Sequence, residues 1–146
     1  MTEAVYQKLD IAHQQLDTAI QLFFEGVDYF SVVTLAGAAE EIFGQELEFH
    51  GLTSSIRNMS EVGAQVSAYL DNPPSTAKEI RDRANHARNN LKHHSPEKET
   101  TVTVDIRQEA IDMLSRAFDN ATMLDASWSD QMFKFNEWFL EHEVGA

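Results

Sequence analysis

An arginine, two asparagines and two histidines crowd into the run Arg88-Asn89-Asn90-Leu91-Lys92-His93-His94. These side chains suit cleavage of a phosphodiester through a neighbouring ribose 2′-hydroxyl. The hydroxyl must lose a proton, the leaving 5′-oxygen must gain one, and the charge growing on the phosphoryl oxygens must meet a cation. An imidazole, with an unperturbed pKa near ~6.5, performs either proton transfer near neutral pH, and a guanidinium fork matches phosphate oxygens in pairs.

The spacing constrains how the groups can meet. Four residues separate Arg88 from His93 and five separate it from His94. Positions five apart on an ideal helix project about 140° from each other, so Arg88 and His93 do not share a face. Either the helix unwinds after Leu91 and brings the histidine back, or the arginine of one protomer works with a histidine of another. Asn89 lies four residues before His93 and Asn90 four before His94. Either amide is placed to brace an imidazole by an i,i+4 hydrogen bond, and the shorter spacing favours His93 over His94.

The pattern of arginine, a polar residue (Asn89) and a histidine after four to six intervening residues resembles the signature of the HEPN superfamily of small all-helical domains. The run Leu35-Ala36-Gly37-Ala38-Ala39-Glu40-Glu41-Ile42-Phe43-Gly44 is similar to the second helix of some bacterial HEPN proteins. The resemblance implies a helical bundle that usually dimerises, with the two motifs meeting at the interface. It further implies a metal-independent endoribonuclease, of toxin or host-defence type, in which Arg88 stabilises the phosphorane, His93 acts as acid or base and Asn89 orients the site. His94 and Lys92 are the alternative groups on the same run. Other members are non-catalytic modules that bind a nucleotide or a partner protein, and the partners implied are an antitoxin or a nucleotidyltransferase. No cofactor and no metal is expected.

A structural reading stands beside this one. Lys92, His93 and His94 in a last helical turn interact favourably with the helix dipole, by about 0.3–1 kcal/mol each. Arg88 can equally serve as the partner of a buried acid. Glu40 interrupts the apolar row Val33, Ala36, Phe43, Leu47, and Glu41 lies between Gly37 and Gly44. A buried carboxylate there needs a cation, for which Arg83 or Arg88 is the candidate. His13, His50 and His142 read as surface or core-edge residues, and His86 lies too far along a helix from His93 to share a metal ion with it.

Composition sets the frame. The 146 residues, 42% of them hydrophobic with nine Phe and two Trp, make one domain with material for a sizeable core. There is no Cys, which removes disulfides and thiolate chemistry. No basic leader and no long apolar run is present, so a bacterial-type cytoplasmic protein without membrane association is expected. The net charge of −13 opposes general affinity for nucleic acid. Yet six of the eleven Lys and Arg (Lys78, Arg81, Arg83, Arg88, Lys92 and Lys98) fall between positions 78 and 98 with only three acids. That segregation suits a few phosphates of a chosen RNA or nucleotide, or the acidic face of a partner.

The elements that must position these groups follow from periodicity. Val5, Leu9, Ala12, Leu16, Ala19, Ile20, Phe23 and Val27 mark a first helix ending near Gly26. A second helix runs from about Asp28 to His50, with Gly51 at its left-handed cap. Its interior glycines, Gly37 and Gly44, imply close approach of another helix to the small surface they form with Ala38, since each costs about 1 kcal/mol relative to alanine. A short helix is expected around Val62 to Leu70. Thr76-x-x-Glu79 opens a helix that carries the motif and stops at Ser95-Pro96, and Thr100 to Val104 reads as extended loop. Asp105-x-x-Gln108 opens a fifth long stripe through Leu124, and a last helix begins near Asp130. The expected architecture is all-α, a HEPN-like bundle of about five to six helices in a single domain over residues 1–146.

Overall fold

A computed structural model of the chain describes residues 2–124 and 127–145. The protein is all-α. Seven helices follow in order: α1 Lys8–Glu25, α2 Tyr29–Phe49, α3 Ser55–Leu70, α4 Ala77–Ala84, α5 His86–Asn90, α6 Ile106–Met123 and α7 Asp130–His142. No strand occurs among the described residues, where a single antiparallel bridge joins Ser95 to Glu99. None of the described helices is long and apolar enough to cross a membrane.

Helix α2 is the central element, packed against α1 on one side and α6 on the other. The apolar stripes of the three interlock: Leu16, Ile20 and Phe23 from α1, Val33, Ala36 and Phe43 from α2, and Ile111, Leu114 and Ala117 from α6. Met132 and Phe135 of α7 close the core at one end. The first stripe is shorter than the sequence pattern suggested. Val5 precedes α1 and is 96% exposed, and Val27 lies in the turn after it.

Helix ends obey the side chains present. Gly26, at φ +70, ends α1. At the end of α2 the Gly51 N–H donates to Glu48 O at 3.0 Å and the Leu52 N–H to Leu47 O at 2.9 Å, a Schellman closure that needs the φ of +76 found at Gly51. Thr76 accepts from the Glu79 N–H at 3.2 Å and Asp105 from the Gln108 N–H at 3.1 Å. In both boxes only this half forms: the Glu79 carboxylate accepts from the Thr76 hydroxyl at 3.1 Å, and the Gln108 side chain donates forward to Asp112.

Two elements differ from expectation. Helix α3 starts at Ser55, with Ser54 as its cap, rather than near Val62. Its inward face holds Ser60, Gly63 and Ser67, so the helical period is invisible to a pattern of apolar residues. The motif helix does not run unbroken to Ser95. It divides at Asn85 into α4 and α5, and α5 stops at Asn90 with Leu91 as its cap. Among the described residues seven helices thus stand where about five to six are expected.

Candidate functional site

The division of the motif helix is tied to a buried charge cluster. Glu40, on the inner face of α2, is only 3% exposed. Its Oε2 accepts from Arg88 Nη1 at 3.1 Å and its Oε1 from Arg116 Nη2 at 3.0 Å. Arg116 Nη2 also donates to Asn85 Oδ1 at 2.8 Å, and Arg116 Nη1 donates to the Ala84 carbonyl at 3.3 Å. The α4–α5 joint is therefore held by a side chain of α6, which takes up a carbonyl at the end of α4.

Asn120, one helical turn after Arg116, extends the network. Its Nδ2 donates to the Glu40 carbonyl at 3.1 Å and its Oδ1 accepts from the Ser55 N–H at 2.8 Å. Two neighbouring polar side chains of α6 thus fix the middle of α2, the start of α3 and the α4–α5 joint. One carboxylate faces two guanidiniums, so the trio carries one net positive charge. The Nε of Arg88 and of Arg116 are buried without a hydrogen-bond partner. Beside the trio lies a cavity of about 310 Å³, lined also by Glu41, Gly44, Glu48 and Ser54.

The glycines of α2 explain how Arg88 reaches Glu40. A Cβ placed on Gly37 would lie 2.6 Å from Arg88 Cδ, and one on Gly44 would lie 3.3 Å from Asn120 Nδ2. What the glycines admit is the stem of the motif arginine and the amide of Asn120, rather than another helix backbone. Gly37→Ala is accordingly expected to push Arg88 off Glu40. Chemical denaturation should show a loss of about 1–3 kcal/mol, although alanine favours the helix intrinsically.

The structure brings some predicted site residues together and separates others. Arg88 meets Glu40, as the structural reading anticipated. Arg83 does not join them: it is exposed and donates to the Ser75 hydroxyl at 3.3 Å. Glu41 points outward and forms no ion pair among the described residues. Lys92, His93 and His94 are all exposed and lie beyond the end of α5, so the dipole of an intact last turn does not hold them. The expected bracing of the imidazoles is also absent. Asn90 Nδ2 turns back to His86, at 2.7 Å from its carbonyl and 3.1 Å from its Nδ1, and Asn89 is half-buried without reaching His93.

Arg116 and Asn120 are the site residues that sequence reasoning missed. Both interrupt the apolar face of α6, between Met113 and Ala117 and before Ala121. A polar pair four residues apart on a core-facing stripe was the available signal. Among the described residues no cluster of three or more His, Asp or Glu is arranged to hold a metal ion. Comparison of the chain with known protein families, with curated proteins and with solved structures returned no match.

Proposed function

We propose that this chain is a HEPN-type, metal-independent endoribonuclease whose active site is completed by a second protomer. The observation that carries this reading is the Glu40 cluster. It fixes the guanidinium of Arg88 shortly before a point where the helix ends and two exposed imidazoles follow. A rigidly held cation suits the charge that develops on phosphoryl oxygens, and imidazoles on non-helical chain can approach the reacting oxygens. A shallow apolar cleft of Phe30, Thr34, Leu35 and Leu91 adjoins the motif, which favours its coverage by a second copy.

In the reaction one imidazole takes the proton of the 2′-hydroxyl, and the oxygen attacks phosphorus. The remaining N–H groups of Arg88 stabilise the phosphorane oxygens. A second imidazole, protonated, gives its proton to the departing 5′-oxygen, leaving a 2′,3′-cyclic phosphate. Two copies supply the two imidazoles with opposite protonation that this requires.

Purified protein is expected to run as a dimer in light scattering and to cleave single-stranded or loop RNA in the presence of EDTA. The products should end in 2′,3′-cyclic phosphate, and DNA, which has no 2′-hydroxyl, should be spared. His93→Ala should lose more activity than His94→Ala, because the shorter spacing keeps His93 nearer the anchored arginine. Equal loss in the two variants would count against that choice.

A second reading has its own support. Arg88 commits one terminal nitrogen to Glu40, and the chain as a whole is strongly acidic. Both favour a non-catalytic HEPN module that binds a nucleotide or a partner such as a nucleotidyltransferase or an antitoxin. Absence of cleavage by the wild type, together with nucleotide or partner binding that Arg88→Ala weakens, would select it.

A further inference from the structure

Helix α3 turns mainly small side chains inward. Ser60 and Ser67 are buried on its inner face, and between them Gly63 leaves room for Ile80 of α4, whose Cδ1 lies 3.0 Å from where a Cβ would stand. Five of its apolar residues lie to one side of that face, about 100° around the helix. Met59, Val62, Val66, Tyr69 and Leu70 fall within an arc of about 100°. All are exposed, from 41% at Met59 to 91% at Tyr69. A continuous apolar row in water marks an interaction surface rather than a folding element.

The Met59 end of this row opens into a groove of about 760 Å³ between α3, α4, α6 and α7, with Ile80, Ile111 and Phe139 as its other large apolar side chains. The same groove is lined by the carboxylates of Glu109, Asp112, Asp119 and Glu143. None of the four is in an ion pair among the described residues. The groove's two arginines are engaged elsewhere, Arg116 with Glu40 and Arg83 with Ser75. Burial, with Asp112 beside it, pushes the Glu109 carboxyl up against the opposing pull of Arg116 and His86, and burial pushes the Asp119 carboxyl up although the residue is exposed. Four carboxylates, none of them ion-paired among the described residues, beside an exposed apolar row leave one chemistry unsatisfied.

We propose that the groove and the apolar row of α3 together dock a basic amphipathic helix of a protein partner. Its apolar face rests on Met59, Val62 and Val66, and its Lys or Arg residues meet Asp112, Asp119 and Glu109. Residues 59–70 extend about 17 Å, enough for three turns of such a helix. A second copy of this chain is the poorer occupant, because it brings a further net charge of −13 to an acidic groove. The docking surface lies across Arg116 from the cavity beside Glu40 and does not depend on RNA cleavage.

The test uses the full chain and three labelled synthetic peptides of about five helical turns: an amphipathic Leu/Lys helix, an isomer of identical composition in scrambled order, and a Leu/Glu counterpart. Fluorescence anisotropy should show the Leu/Lys helix binding about tenfold tighter than its isomer, and the Leu/Glu peptide not binding. Val62→Glu with Val66→Glu, and separately Glu109→Gln with Asp119→Asn, should each weaken binding about tenfold. Glu25→Gln with Glu97→Gln, away from the groove, should not. Should the first pair unfold the protein, the second carries the test. Equal binding of the scrambled isomer, or equal loss in the Glu25 and Glu97 control, would reduce the effect to general attraction by an acidic body and overturn the proposal. Conversion of an oligomer to a smaller species by Val62→Glu with Val66→Glu would overturn it in favour of a second copy.

Discussion

On the proposed ribonuclease mechanism, Arg88→Ala is expected to lower RNA cleavage at least about a hundredfold, the usual loss when a preorganised group facing transition-state charge is removed. Arg88→Lys should recover little. An ammonium is a point charge and cannot hold Glu40 and a phosphoryl oxygen at once as the guanidinium fork can. Because Arg88 also contacts Glu40 at 3.1 Å, the variants must be compared by thermal melting at the assay temperature. Arg116 still holds Glu40 in Arg88→Ala, so the fold should persist and the loss should be chemical. A folded Arg88→Ala protein with wild-type turnover would remove Arg88 from the mechanism.

Glu40→Ala is expected to cost about 3–5 kcal/mol of stability, because it strands two largely buried guanidiniums without a counter-charge. Denaturant unfolding monitored by circular dichroism measures it. Glu40→Gln should lose less, since the amide oxygen still accepts one of the two hydrogen bonds. Replacing the whole trio with apolar residues, Glu40→Leu with Arg88→Met and Arg116→Met, should recover much of the loss, as buried ion clusters often yield to packed hydrocarbon without penalty. A stable triple variant that neither cleaves RNA nor binds a ligand would show that the trio is kept for function rather than for folding. Stability of Glu40→Ala equal to wild type would mean that water reaches the arginines freely.

The long apolar stripes made α1, α2, α6 and α7 legible in the sequence, because burial of one face leaves a period of three to four residues. The cap at Gly51 was legible for the same kind of local reason, a left-handed residue where only glycine is comfortable. Helix α3 was half hidden, since the small Ser60, Gly63 and Ser67 face inward while Met59, Val62, Val66, Tyr69 and Leu70 stay exposed. The pairing of Glu40 with Arg88 could be anticipated from a lone acid on a buried face, whereas the choice between Arg83 and Arg88 depended on which side of α4 and α5 turned toward Gly37. The break at Asn85 left no local mark. It is tied to Arg116, thirty-one residues further along the chain, through bonds to the Ala84 carbonyl and the Asn85 amide. His93 and His94 stand beyond the end of α5 at Asn90, which frees them from any helical projection.

The sharing of Glu40 by arginines of two helices has a consequence for how such a protein can diverge. Loss of either arginine alone leaves the carboxylate with one partner, whereas loss of the carboxylate leaves two cations stranded. The tolerated order of change is therefore directional: positions 88 and 116 must be relieved before position 40, and Gly37 can gain a side chain only once the stem of Arg88 has left. A lineage that gave up the motif arginine would be released at a glycine fifty-one residues upstream, so the history of position 37 should follow that of position 88.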